Sequence, residues 1–381
     1  MRILHIVGTM SAESGGPAEV ARMLVEFAPP HVTSEIVTCD HPGEPALATL
    51  SCPVHALGNT RPGFFYSRRL IPWLRANRAR FDGVIVHGLW TYPSLAAWRA
   101  LAGHTPYIVF AHGMLDPWFK RAYPLKHAKK WGYWLVAQYW ILRRASRVLF
   151  TTETERDLAR QSFWLSRWEP MVVALGTTPP PADTASLLSA FHTRCPGLDG
   201  KRFLLFLGRI DRKKGCDLLV EAFALLTTDT DLHLIMAGPD PHNWAAELQP
   251  QSLDIAARIH WPGMLYGDAK WGALAACEAF ILISHQENFG IAVAEALATG
   301  RPVLISDQVN IAPDITADNC GLVQPDTPEG AHHLLHDWLA LSEKDRETMR
   351  ANALTTFATR YDMRTNAAAT FRVFERAKEQ R

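Results

Sequence analysis

The sequence predicts an α/β protein with two domains, each built on a parallel sheet covered by helices. Three observations carry that prediction. Short apolar runs alternate with helical stretches along the chain, the mark of parallel strands joined by crossover helices. Several runs end in a Gly or Pro turn, as at Leu207-Gly208, Ala237-Gly238-Pro239 and Pro262-Gly263. The rhythm breaks at Thr177-Thr178-Pro179-Pro180-Pro181 and resumes at Arg202, which marks a domain boundary. A chain of 381 residues has room for about two domains of ordinary size. The expected domains are residues 1–178 and 179–361.

Composition narrows the class. Hydrophobic residues make up 48% and charged residues 20%, as in a globular protein with ample core. A formal net charge of +1 argues against a nucleic-acid partner held by overall field. The 16 histidines are scattered, and His332, His333 and His336 read as the polar face of a helix rather than a metal site. The six cysteines show no C-x-x-C, which fits reduced thiols in a cytosol. Met1 to Val7 reads as a strand, because its apolar part is too short for a signal peptide. No run reaches the roughly 18 apolar residues of a membrane span. A cytoplasmic protein is expected, with peripheral attachment to the inner membrane face left open.

Taken in order, Ile3 to Val7 gives the first strand. The loop Gly8 to Pro17 carries Gly15-Gly16 before a helical pattern through Val20, Met23, Leu24 and Phe27. Such a pair lets backbone approach an anion at a helix start; a plain flexible turn is the alternative. No G-x-G-x-x-G is present, so a dinucleotide fingerprint is absent. Strands follow at Ser34–Val37, Val54–Ala56, Gly83–Val86 and Tyr107–Phe110. His87 and His112 stand at two successive strand ends, which points to a lined cleft, against the reading of each as a satisfied structural histidine.

Trp118 to Arg147 holds eight basic residues and no acidic one, interleaved with aromatics. Lys126, Lys129, Lys130, Trp131 and Trp134 form a candidate surface for anionic lipid or acceptor. The competing reading is a buried helix whose Trp131, Trp134 and Leu135 face the core. Further strands are expected at Val148–Thr152 and Met171–Gly176, with a helix over Thr154–Gln161 between them.

The second half restarts with a strand at Arg202–Leu207 that runs into Gly208-Arg209-Ile210-Asp211-Arg212-Lys213-Lys214-Gly215, and a helix begins near Cys216. Arg209 and Lys214 at a strand's carboxyl end can neutralise a diphosphate, one by bidentate hydrogen bonds and one as a point charge. Strands follow at His233–Pro239, Ile259–Gly263 and Ala279–Ile283. After the last comes Ser284 to Val303, with Glu287 and Glu295 separated by seven residues. Glu287 falls in the loop and Glu295 roughly two turns into a helix that stops at Thr299-Gly300 and Pro302. The N–H groups of Asn288, Phe289 and Gly290 open that helix and suit a phosphate. A carboxylate such as Glu295 suits a ribose diol.

The Gly208-Arg209…Lys214-Gly215 stretch followed by Glu287-x7-Glu295 resembles the retaining glycosyltransferases of family GT4, with the GT-B fold. The resemblance covers essentially the whole chain, including Gly15-Gly16 and His112. It implies two Rossmann-like domains with parallel sheets facing a central cleft, and a final helix, 362–381, crossing back onto the first domain. It implies a hexosyltransferase (EC 2.4) that needs no metal or other cofactor. Arg209 and Lys214 would hold the donor diphosphate and Glu295 the ribose. Glu287 would lie near the transferred sugar beside Asn288, Phe289 and Gly290. Gly15 and Gly16 would approach the diphosphate, and His112 the reacting centre. The implied partners are a nucleotide-diphosphate sugar and a glycan or lipid-linked acceptor of surface polysaccharide or glycolipid synthesis. Asn288 departs from the Gly usual after the first Glu, and Leu175-Gly176-Thr177 from the usual Asn-Gly turn, which leaves sugar identity open. Two alternatives remain at this point: a GT-B epimerase or phosphorylase, and a non-catalytic scaffold binding membrane or a partner through 118–147.

Overall fold

The computed structural model describes residues 1–11, 15–58, 63–226, 231–250 and 252–379. The 12–14 part of the Gly8–Pro17 loop and the last two residues of the predicted final helix lie outside them. The chain forms two units, Met1–Leu175 with Met363–Arg381, and Gly176–Asp362. The Pro-rich break therefore falls just inside the second unit.

Among its described residues the first unit holds seven strands: β1 (Arg2–Val7), β2 (Thr33–Thr38), β3 (Val54–Ala56), β4 (Gly83–His87), β5 (Tyr107–Phe110), β6 (Arg147–Phe150) and β7 (Pro170–Val172). Their order is β3-β2-β1-β4-β5-β6-β7, and every pairing is parallel. The chain winds outward from β1 to β3, then returns to lay β4 on the other side of β1. The crevice at such a reversal is where doubly wound sheets take ligands. β4 and β5 are buried along their whole length, which is why Val84-Ile85-Val86 and Tyr107-Ile108-Val109-Phe110 read as continuous apolar runs. The C-terminal helix Met363–Glu379 packs on this sheet through Phe371 and Phe374, both buried. The Phe374 ring occupies the space a Cβ on Gly83 would need.

The second unit repeats the plan with β8 (Arg202–Leu207), β9 (Leu232–Ala237), β10 (Ile259–Gly263), β11 (Ala279–Leu282), β12 (Val303–Ser306) and β13 (Gly321–Gln324). The order is β10-β9-β8-β11-β12-β13, again all parallel. The reversal here lies between β8 and β11. The sequence reading leaves β12 and β13 unnamed: Val303-Leu304-Ile305 follows Pro302, where a helix stop was the stronger signal, and Gly321-Leu322-Val323 is shorter than the usual strand signature.

The basic aromatic stretch is helical in pieces, Trp118–Ala122, Pro124–Tyr133 and Tyr139–Arg144, joined by one wider turn over Trp134–Gln138. In that turn the Tyr139 N–H donates to the Trp134 carbonyl, five residues back. The extra residue rotates the helix face. Trp134 is sealed in the core, stacked 4.5 Å from Phe163, so it is no surface residue. Leu135 is turned outward, 53% exposed beside Val136 at 75%, against its expected place in the core.

Candidate functional site

In the second unit, two loops leave the carboxyl ends of β8 and β11 on either side of the reversal. One side-chain bond shapes the β8 loop, and one backbone bond ties it to the β11 loop. The Asp211 carboxylate accepts the Lys213 N–H at 2.9 Å, and the Lys213 carbonyl accepts the His285 N–H at 2.9 Å. Gly215 sits at φ +62, and a Cβ there would run into the Ile283 carbonyl. Only glycine meets both demands at no steric cost, and the close approach delivers Lys214 to Glu287. Lys214 Nζ forms an ion pair with Glu287 Oε2, each side chain 18% exposed. An ammonium carries three N–H donors, and Glu287 takes one. Burial pushes the Glu287 carboxyl up, but the charge and hydrogen bond of Lys214, with Lys213 and the Asn288 N–H, outweigh it and hold the group below its ordinary value. Arg209, at the end of β8, is exposed.

Two details of the β11 loop differ from expectation. The helix begins at Ile291, with Gly290 at φ +74 as its N-cap. Asn288, Phe289 and Gly290 therefore precede the first turn instead of forming it, and Glu295 lies just over one turn in. The Asn288 N–H donates to the Glu287 carboxylate at 3.1 Å, so it is committed to that side chain rather than open to a phosphate. Phe289 is buried, edge-on to Tyr361 at 5.6 Å, and fixes the loop.

Glu295 is buried and accepts a hydrogen bond from Lys270 Nζ at 2.6 Å. Lys270 comes from the helix Gly267–Ala276 and also lies 4.9 Å over the Trp271 ring. Sequence reasoning missed it, since a single Lys on a helix after Tyr266-Gly267 carries no motif.

The first unit carries a different chemistry at its reversal. His5 on β1, His87 at the end of β4 and His112 beyond β5 form a row of nearly parallel rings joined edge to edge, with ring centroids 5.5 Å apart at each step. His5 Nδ1 lies 3.2 Å from His87 Nε2, and His87 Nδ1 lies 3.3 Å from His112 Nε2. Burial lowers all three; it takes His5 and His112 to about 3, and His87 is lowered further by its two neighbours. His112 has φ +49, a conformation that costs about 1–3 kcal/mol and clusters at functional sites. Glu155 holds the turn, its buried carboxylate accepting the Gly113 N–H at 2.7 Å and the Thr151 N–H at 2.6 Å. His5 and Glu155 were also missed. A histidine inside a strand buried on both faces requires a partner, and that requirement was the available signal.

Gly15 and Gly16 are exposed at the start of the helix Gly16–Glu26, and among the described residues nothing lies within 4 Å of where their side chains would project. The Lys126 and Lys129 side chains are exposed, whereas Lys130 is half-buried, its Nζ 4.6 Å over the Trp90 ring and 5.3 Å over that of Phe119. Burial lowers Lys130 as well, so it braces the fold rather than the surface. Trp131 is half-buried against Phe163 and Trp164. Among the described residues no helix is long and apolar enough to cross a membrane.

Two doubly wound sheets with charged loops at the reversal of the second define a two-unit nucleotide-binding α/β architecture. Comparison with known proteins narrows this. Residues 14–176 match the glycosyl transferase 4-like domain, and residues 195–356 match glycosyl transferases group 1. The chain belongs to the GT4 glycosyltransferases of GT-B fold. It is 27% identical over 230 residues to an alpha-D-kanosaminyltransferase of Streptomyces kanamyceticus, the match covering 58% of each protein. It therefore spans less than two thirds of that relative. A GDP-mannose:cellobiosyl-diphosphopolyprenol alpha-mannosyltransferase of Xanthomonas campestris is 26% identical over 96% of this chain and 94% of its own. The Anabaena HepE structure, in complex with UDP-glucose, superposes with a TM-score of 0.79 over all of both chains at 16% identity, which shows the fold.

Proposed function

We propose that the protein transfers a hexose from a nucleotide-diphosphate sugar to a glycan or lipid-linked acceptor, with retention of configuration and without a metal ion. The observation that carries this reading is Lys214 paired with Glu287 at the β8/β11 reversal, with Arg209 exposed on the same β8 loop. Lys214 has donors beyond the one Glu287 takes, and Arg209 offers a planar fork. Together they supply the positive charge a departing diphosphate needs, by electrostatic stabilisation set in place before reaction. The sugar–phosphate bond breaks towards those cations. The acceptor oxygen bonds to the same face, and its proton passes to the leaving phosphate. Within the second unit Glu287 is assigned to the transferred sugar and Glu295 to the ribose; for the first unit a sugar contact by His112 and phosphate contacts by Gly15 and Gly16 are the corresponding proposals. On the β11 loop, the N–H groups of Phe289 and Gly290 are the remaining phosphate donors.

The relatives are consistent with this reading. HepE binds UDP-glucose, and the Xanthomonas relative takes GDP-mannose to a diphosphopolyprenol. A lipid-linked acceptor also suits the first unit's surface. There Leu125 is 81%, Val136 75% and Trp164 81% exposed, among exposed Lys126, Lys129, Arg143 and Arg144. Exposed apolar groups accompanied by cations, on a stretch 118–147 without a carboxylate, fit an anionic membrane face. Replacing Lys126 and Lys129 with Glu, together with Trp164→Ser, is expected to abolish salt-sensitive binding to phosphatidylglycerol vesicles; unchanged partitioning would remove the membrane from the reading.

Calorimetric titration with UDP, GDP and ADP, each with and without magnesium, tests the donor site. Binding of one diphosphate, equal with and without magnesium, supports it and names the base. No binding of any of the three would overturn it.

A further inference from the structure

We propose that His5 and His87 are positioning residues: with His112 they form one hydrogen-bonded imidazole relay, which fixes the His112 proton on Nδ1 and presents that N–H to the sugar being transferred. The proposal rests on the reading of His112 as a sugar contact.

The relay follows from strand register. His5 pairs across β1/β4 with Ile85, and His87 stands two residues beyond Ile85. His87 pairs across β4/β5 with Phe110, and His112 stands two residues beyond Phe110. A two-residue step keeps the side chain on the same face of a sheet. The three rings therefore climb diagonally across neighbouring strands, from the buried middle of β1 to the loop at the carboxyl end of β5. Phe110 lies 5.9 Å from His87 and 5.1 Å from His112, with both rings nearly parallel to it, and Phe371 closes the inner end edge-on to His5 at 6.4 Å.

Each uncharged imidazole carries one N–H, so two directions of the chain are open. With every proton on Nε2, the chain ends in an N–H at His5 Nε2. That atom is sealed from solvent and has no partner among the described residues. With every proton on Nδ1, the inner end is only a lone pair: His5 Nδ1–H donates to His87 Nε2, and His87 Nδ1–H donates to His112 Nε2. A buried donor without an acceptor is the rarer and costlier defect. The second direction wins, and it leaves His112 with Nδ1–H at the outer end. Mixed arrangements break one of the two ring-to-ring bonds.

The consequence is chemical. An imidazole free in water exchanges its proton between the two nitrogens, and the wrong tautomer would turn a lone pair towards a sugar oxygen. Locked by His87, His112 acts as a fixed donor to one oxygen of the sugar. His5 completes the lock by giving His87 no competing donor role.

Long-range 15N–1H correlation spectra of histidine-labelled protein read the tautomers directly. Protonated Nδ1 is expected on His5, His87 and His112 in the wild type. In His87→Leu the His112 signal should leave that state, with kcat about tenfold lower, the worth of one ordinary hydrogen bond, and donor KM unchanged. In His87→Asn, whose amide can donate to His112 Nε2, the tautomer and most of kcat should return. His112 carrying its proton on Nε2 in the wild type would overturn the relay whether or not the variants fold. So would a His112 tautomer unmoved by His87→Leu. Full transfer by His112→Ala would instead overturn the sugar-contact reading, and the wild-type spectra would still stand.

Discussion

The two units share one topology and opposite electrostatics. Each sheet winds outward and returns to open a crevice, between β1 and β4 in one and β8 and β11 in the other. At the second unit's crevice stand formal charges in pairs, Lys214 with Glu287 and Lys270 with Glu295. At the first unit's crevice stand three histidines that burial keeps uncharged. The fold supplies the position in both cases, and the side chains decide what the position does. A charged diphosphate needs the former; a sugar, all hydroxyls and no charge, needs only directed donors and acceptors.

Removing the second unit's charge should have the largest effect. Lys214→Ala is expected to abolish transfer and weaken nucleoside-diphosphate binding by at least about 100-fold. It also leaves the Glu287 carboxylate without the partner that holds it low. Because that group's folded value is depressed, its stabilising share is present above the ordinary 4.5 and lost as pH falls through the lower folded value. The difference in thermal midpoint between wild type and Lys214→Ala should therefore shrink on acidification below that point.

A packing change should separate the units in another way. Phe374→Ala empties the space above Gly83 and is expected to cost the first unit about 3–5 kcal/mol. Hydrogen exchange should speed up in β1 and β4 and stay as it was in β8 and β11; equal loss in both units would show that they unfold together.

Mild acid gives a smaller and graded contrast. The buried histidines have folded values well below the ordinary 6.5, so the unfolded chain binds more protons between 6.5 and about 3. Stability of the first unit should fall by about 1.4 kcal/mol per pH unit below 6.5 for each ring kept uncharged. In the second unit burial also lowers His233 and His260, but less far, so a smaller loss is expected there in the same range, and the Glu287 pair adds none until below 4.5. Protection of β1 amides should decline between pH 7 and 5 ahead of β8 amides, and the reverse order would refute the contrast. Smallest of all, Glu295→Gln should raise the donor Kd about tenfold, by loss of one charge-assisted hydrogen bond.

Legibility in the sequence tracks the same division. Arg209, Lys214 and Glu287 lie on loops that leave a strand and Glu295 in the early part of the helix after one, so local spacing displays them. The pairing of Lys214 with Glu287 was harder to see, because it depends on Gly215 passing the Ile283 carbonyl. The Lys270–Glu295 pair and the His5–His87–His112 row are products of how the chain folds back. They bring together residues 82 and 25 positions apart, which no window along the chain can show. The strands β12 and β13 escaped because their apolar runs are short and follow turn residues. Trp134 is buried as the core-facing reading of its helix expects, and Leu135 departs from that reading, turned outward where one turn of wider helix shifts the face, a change of register invisible to a 3.6-residue period.

The central claim is that the second unit's charges hold the diphosphate and the first unit's histidines do not. Calorimetric titration of wild type, Lys214→Ala and His112→Ala with the diphosphate that binds wild type tests it most directly. The account predicts that His112→Ala binds like wild type while Lys214→Ala shows no measurable heat. Undiminished binding in Lys214→Ala, or its loss in His112→Ala, would contradict the account.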